Sequence, residues 1–128
     1  ITREFEADAR QVAHIWLNRV SADQGAVAQA EFDRCVDLCA SLLSHLSRNG
    51  CEVIVHGLPR PLHVSAGGKG LSAALESLAV VSLSSPDHTA SPPRSAAGAS
   101  WLLITPLSAR EHAPRMRFRQ VFALAEAD

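Results

Sequence analysis

The chain has 128 residues, 47% of them hydrophobic and 20% charged, which suits one soluble domain built around one core. Its formal net charge of −1 argues against nucleic acid or an anionic membrane surface as the default partner. No apolar run approaches the roughly 20 residues of a membrane-spanning helix, and no secretory leader is read at the start. The sequence opens on Ile1 without a methionine, and is expected to be a piece of a longer protein that forms a single domain over residues 1–128.

The first element is a strand over Gln11 to Asn18. Ala13, Ile15 and Leu17 share one face, and Val12, His14 and Trp16 the other. Both faces are largely apolar, as in a central strand covered by helices on both sides. His14 is read as a packed, hydrogen-bonded histidine. Residues 19–30 form a loop, and a helix follows from Glu31 to Asn49. Phe32, Cys35, Val36, Cys39, Leu42, Leu43 and Leu46 recur at the spacing of one buried helical face. Asn49-Gly50 ends it, because glycine accepts the left-handed conformation just past a helix.

A second strand, Cys51 to His56, follows closely enough to make a parallel crossover with the first. Gly57-Leu58-Pro59-Arg60 is a turn. Pro61 to Ser65 is a short strand, paired antiparallel at the sheet edge, where proline is tolerated. Ala66-Gly67-Gly68-Lys69-Gly70 opens a second helix over Leu71 to Val81, with Leu71, Ala74, Leu75 and Leu78 on its buried face. Residues 84–100 are rich in Ser, Pro, Ala and Gly and read as a long connection. Trp101 to Leu107 is a buried strand, and Ser108 to Pro114 a polar loop or helical turn. Arg117 to Leu124 is a last strand with Phe118 and Phe122 on one side.

Several groups invite chemistry. Gly67 to Gly70 precedes a helix N-terminus, a place that attracts anions. The phosphate-binding loop pattern needs a glycine where His63 stands and a hydroxyl where Gly70 stands. His45, His56, His63, His88 and His112 are scattered. His56 and His63 could face each other across the hairpin, still short of a zinc ligand set. Cys35 and Cys39 lie one turn apart and read as small buried hydrophobes. With Cys51 they make an odd count, which points to a reducing compartment. No Gly-x-Ser-x-Gly elbow is present. Arg110, Arg115, Arg117 and Arg119 form a basic cluster, either a charged edge that blocks strand pairing or a docking surface for an acidic partner.

The succession of strand, long helix, strand, antiparallel edge strand, helix, strand and strand resembles a von Willebrand factor A-type domain. Its closest likeness runs through Arg3-Glu4-Phe5-Glu6-Ala7, Ile15-Trp16-Leu17, Glu31-Phe32-Asp33, Leu42-Leu43 and Arg48-Asn49-Gly50-Cys51-Glu52-Val53, covering residues 3–83. These are similar to a bacterial family of unknown function encoded beside MoxR-type AAA+ ATPases. The resemblance implies an α/β, three-layer, Rossmann-like fold with a mostly parallel sheet, an antiparallel edge strand and helices on both faces. That family usually carries two membrane helices and a β-rich segment before this domain. The implied location is therefore cytoplasmic, at the membrane face if the parent is anchored, with no membrane contact by this chain.

Metal-binding domains of this type place Asp-x-Ser-x-Ser after the first strand to hold Mg²⁺ through oxygen ligands. Here the run is Asn18-Arg19-Val20-Ser21-Ala22, so the carboxylate is an amide and both hydroxyls are gone. The later acid, expected after the fourth strand, falls near Thr105-Pro106. The expectation is a degenerate metal site with no metal or cofactor and no catalytic residues. The protein would be a non-enzymatic interaction domain with Asn18, Arg19, Ser21 and Thr105 on its binding surface and a MoxR-type ATPase as partner. The alternative is a small hydrolase or nucleotide- or phosphate-binding domain using Gly67 to Gly70.

Overall fold

The computed structural model describes residues 12–84, 101–114 and 118–125. Five strands make one sheet: β1 (Val12–Leu17), β2 (Glu52–His56), β3 (Leu62–Val64), β4 (Trp101–Pro106) and β5 (Gln120–Leu124). Their order is β3-β2-β1-β4-β5. β1 pairs in parallel with β2 and β4, and β4 with β5; β3 runs antiparallel to β2. Two helices, α1 (Ala26–Arg48) and α2 (Leu71–Ala79), lie between strands, and a 3-10 helix (Leu107–His112) follows β4. The chain leaves β1 toward β2 on one side and returns to β4 on the other. The strand order therefore reverses between β1 and β4, where ligands of open α/β sheets gather.

α1 begins five residues before the expected Glu31, and the loop after β1 is correspondingly short. Ala26, Ala28 and Ala30 are strong helix formers, and Ala28 is buried against the core. A reading keyed to large apolar side chains passes over such a turn. The end of α1 falls as expected. Gly50 takes φ +85°, the Cys51 amide donates to the Leu46 carbonyl at 3.0 Å and the Gly50 amide to Ser47 at 3.3 Å. This is the double-capped helix stop that only a left-handed residue closes without strain.

Alternation along the strands sorts the core. Ile15, Leu17, Val53, Val55, Val64 and Ile104 face Phe32, Cys35, Cys39 and Leu43 of α1 and Ala74 and Leu78 of α2. The opposite face carries Trp16, Trp101 and Leu103, packed by Ala113 and Phe118. Both described helices thus cover the same face, and helices on both faces are not found among the described residues. The apolar alternation of β1 reports burial on its second side without saying what does the burying. Phe118 and Phe122 also part company: Phe118 joins the Trp16–Trp101 side, while Phe122 packs against the helix side. The reason is that β5 starts at Gln120, three residues after the expected Arg117, so Phe118 is not in its alternation. The segment Arg3 to Ala7, His88, the connection 85–100, Arg115 and Arg117 lie outside the described residues.

Candidate functional site at the strand ends

β1 and β4 finish side by side, and the residues just past them meet. The Asn18 amide nitrogen donates to the Ile104 carbonyl at 2.8 Å, extending the ladder by one rung. The Asn18 side chain then closes the gap between the strands. Its Nδ2 donates to Thr105 Oγ1 at 2.9 Å and to the Ala109 carbonyl at 3.0 Å, and its Oδ1 accepts from the Val20 amide at 3.1 Å. Both amide protons and the oxygen are thereby satisfied. Thr105, which accepts from Asn18, donates onward to the Pro106 carbonyl at 3.0 Å. Asn18 is 1% exposed and Thr105 0%.

Arg19 and Ser21 hold the loop around this plug. Arg19 Nε donates to the Gly57 carbonyl at 3.2 Å. The Ser21 hydroxyl donates to the Asp23 carbonyl at 2.6 Å, and its amide to Ser84 at 2.9 Å. The Ser84 amide returns a bond to the Arg19 carbonyl at 2.6 Å, so residues 19–21 carry a one-rung extension of the sheet. All four residues read from sequence as binding surface therefore gather at one place. Asn18, Ser21 and Thr105 are nonetheless buried and bonded inward. The solvent-facing rim above them consists of Ala22, Asp23, Gln24, Val27, Leu107 and Ser108.

One functional-looking residue escapes the sequence reading. Glu31 is buried on α1, and its Oε1 accepts from Ser108 twice, from the amide at 3.2 Å and the hydroxyl at 2.5 Å. This ties the helix to the 3-10 segment after β4. The signal was available: Ala28, Glu31, Phe32 and Cys35 share helical spacing, which places a carboxylate on the apolar stripe.

The chemistry of this donor set is that of a neutral plug. Asn18 turns its oxygen to a backbone amide and its nitrogen toward two oxygens, so it meets a cation with one neutral, already hydrogen-bonded oxygen in place of a carboxylate. Asp23 accepts from the Gly25 amide at 2.8 Å and shapes the entry to α1. Among the described residues, no group of three His, Cys, Asp or Glu side chains is arranged to hold a metal ion. Cys35 and Cys39 are buried in the core, which pushes both thiols up to about 12 and keeps them protonated.

The glycine loop sits elsewhere. β3 runs against the other strands, so the loop after it lies at their amino ends, beside the last turn of α1. There the Gly67 amide donates to the Ser47 carbonyl at 2.8 Å, Gly68 to Ser65 and Leu71 to Gly68, each at 3.0 Å. Three amides that a phosphate cradle would need are thus used within the fold.

A second polar cluster occupies the face away from the helices. His14 Nδ1 and His56 Nε2 lie 3.2 Å apart, and both rings pack against Trp101, with centroids 4.9 and 4.6 Å away. His63 does not meet His56. The register sets His63 opposite Ile54, and it pairs instead with Glu52. Burial first, and the His14 ring second, pushes His56 down to about 4; burial also lowers His14, against the opposing pull of Glu52.

These imidazoles are neutral in the folded protein and free to take up protons once unfolded. Their contribution to stability is complete above the unfolded value of about 6.5 and is lost as pH falls toward 4. Urea denaturation is expected to show His56 removing about 2 kcal/mol between pH 7.5 and pH 5. A His56→Gln variant should flatten that slope, and an unchanged slope would refute a buried neutral pair.

No family model, no curated protein and no solved structure matches the chain.

Proposed function

We propose that the chain is a protein-interaction domain of the von Willebrand factor A type in which an internal hydrogen-bonded plug replaces the metal site. The observation that carries this reading is the Asn18–Thr105–Ala109 bond set, which fills the reversal point of the sheet with neutral groups bonded to one another in place of a carboxylate. The strand order β3-β2-β1-β4-β5 with an antiparallel edge strand supports the same assignment. Asn18, Arg19, Ser21 and Thr105 act from below, giving the rim a fixed shape. Contact with the partner falls to the exposed loop above, where Val27 is 57% and Leu107 50% exposed. A MoxR-type AAA+ ATPase on the cytoplasmic side is the proposed partner, and the domain performs no reaction of its own.

Capture with the parent protein from its native host, scored for an AAA+ ATPase, tests this. The ATPase should be retained by the wild type and lost with Val27→Asp plus Leu107→Asp. Its absence from the wild-type capture sinks the partner assignment. Stoichiometric Mg²⁺ binding by the wild type, lost in Asn18→Ala, would sink the plug. The phosphate-binding alternative predicts micromolar ATP or phosphate affinity that disappears in Lys69→Ala.

A further inference from the structure

We propose that the groove between the last turns of α1 and the flank of α2 receives an acidic segment of a partner protein. The groove has a volume of about 470 Å³, within the range of small binding clefts. Ser41, Ser44, His45, Arg48 and Asn49 line it from α1, with Leu75 closing it from α2. The lining holds one permanent cation, two hydroxyls, an imidazole and no carboxylate. Asp37, Glu52 and Glu76, the acids nearest in sequence, are not part of it.

Two further observations point to an acidic occupant. Among the described residues the ion pairs join His63 to Glu52 and His112 to Glu111, so Arg48 holds its charge without an acidic partner there. A cation in a last helical turn ordinarily answers the unpaired carbonyls of that helix end. Three of those four carbonyls already have donors. His45 accepts from the Asn49 amide and side chain, Leu46 from Cys51, and Ser47 from Gly50 and Gly67. The Arg48 fork is therefore available to an external acceptor, and guanidinium prefers a carboxylate that it can grip with two parallel bonds.

The groove is open to solvent, so a small anion would gain one contact and remain hydrated. A chain bearing successive carboxylates gains Arg48, the serine hydroxyls and the apolar wall of Leu75 together. This surface lies at the end of α1 away from the strand-end rim, so it stands or falls independently of the partner proposed there.

Titration of the isotopically labelled domain with hexaglutamate, followed by amide resonances, tests the proposal. Shifts should centre on residues 40–49 and Leu75, and affinity should fall about tenfold between 50 and 300 mM NaCl. Arg48→Gln should weaken binding about tenfold, while Arg110→Gln leaves it unchanged. Ser44→Asp, which puts a carboxylate into the groove itself, should abolish the shifts. The proposal is overturned if hexaglutamate causes no shifts, or shifts centred on Arg110 and Arg119. It is equally overturned if Arg48→Gln binds as tightly as the wild type, if hexaglutamine binds as well as hexaglutamate, or if polyuridine binds this groove more tightly.

Discussion

Gly57→Ala is expected to lower the unfolding free energy by about 4 kcal/mol, read as a shift of the urea midpoint at unchanged slope. Two independent costs add. Gly57 has φ +91°, a conformation that costs an L-residue about 1–2 kcal/mol. A Cβ there would also stand 2.4 Å from the Leu17 carbonyl oxygen and 3.1 Å from Trp16 Nε1. The first of these is backbone in the centre of the sheet and cannot swing aside, so relief requires β1 or the turn to move, at about 1–3 kcal/mol. Movement of the turn would also displace the carbonyl that Arg19 grips. Gly50→Ala supplies the control. Its φ is +85° with nothing within 4 Å of the added carbon, so only the conformational cost of about 1–2 kcal/mol applies. Equal losses at the two positions would show that the close approach of Gly57 to β1 has no energetic weight.

The contrast between these glycines shows what a sequence discloses and what it withholds. Gly50 is readable because its cause is local: a helical stripe ends and a left-handed residue follows. Gly57 reads only as a turn residue. Its tight fit arises because the parallel register sets Trp16 beside His56, which brings the next residue of each strand together across the sheet. The same distinction runs through the molecule. The alternation of β1, the stripe of α1 and the short antiparallel edge strand were legible from neighbours in the chain. The His14–His56 pair and the bond from Glu31 to Ser108 depend on how distant segments are set against one another, and the separation of Phe118 from Phe122 on where β5 begins. At the candidate site, Asn18 and Thr105 were identifiable as residues at adjoining strand ends. Their burial was not, because the Ala109 carbonyl that completes the plug comes from the 3-10 helix, 91 positions along the chain from Asn18.

That plug sets the second large effect. Asn18→Leu keeps the approximate volume but removes all three side-chain hydrogen bonds, and is expected to cost about 3–4 kcal/mol. Thr105 retains the Pro106 carbonyl as its acceptor, so the penalty falls on the Val20 amide and the Ala109 carbonyl. Each is left without its partner at a buried site, at about 1–3 kcal/mol. Asn18→Asp tests the nature of the site as well as its strength. A carboxylate retains an acceptor for Val20 but faces the Ala109 carbonyl oxygen with no proton between them. Burial and that repulsion should raise the folded-state pKa of the new acid above its unfolded value, so this variant should gain stability relative to the wild type as pH falls through the raised value. Adding Val20→Ser and Ala22→Ser restores the Asp-x-Ser-x-Ser run of a metal-binding loop, with Thr105 still standing near the place of the later acid. If the plug fills a former metal site, millimolar Mg²⁺ should raise the melting temperature of this triple variant and leave the wild type unchanged, through preferential binding to the folded state. A triple variant indifferent to Mg²⁺ would mean that Asn18 closes an ordinary strand end, and the reading of the rim as the remnant of a metal-dependent surface would fail with it.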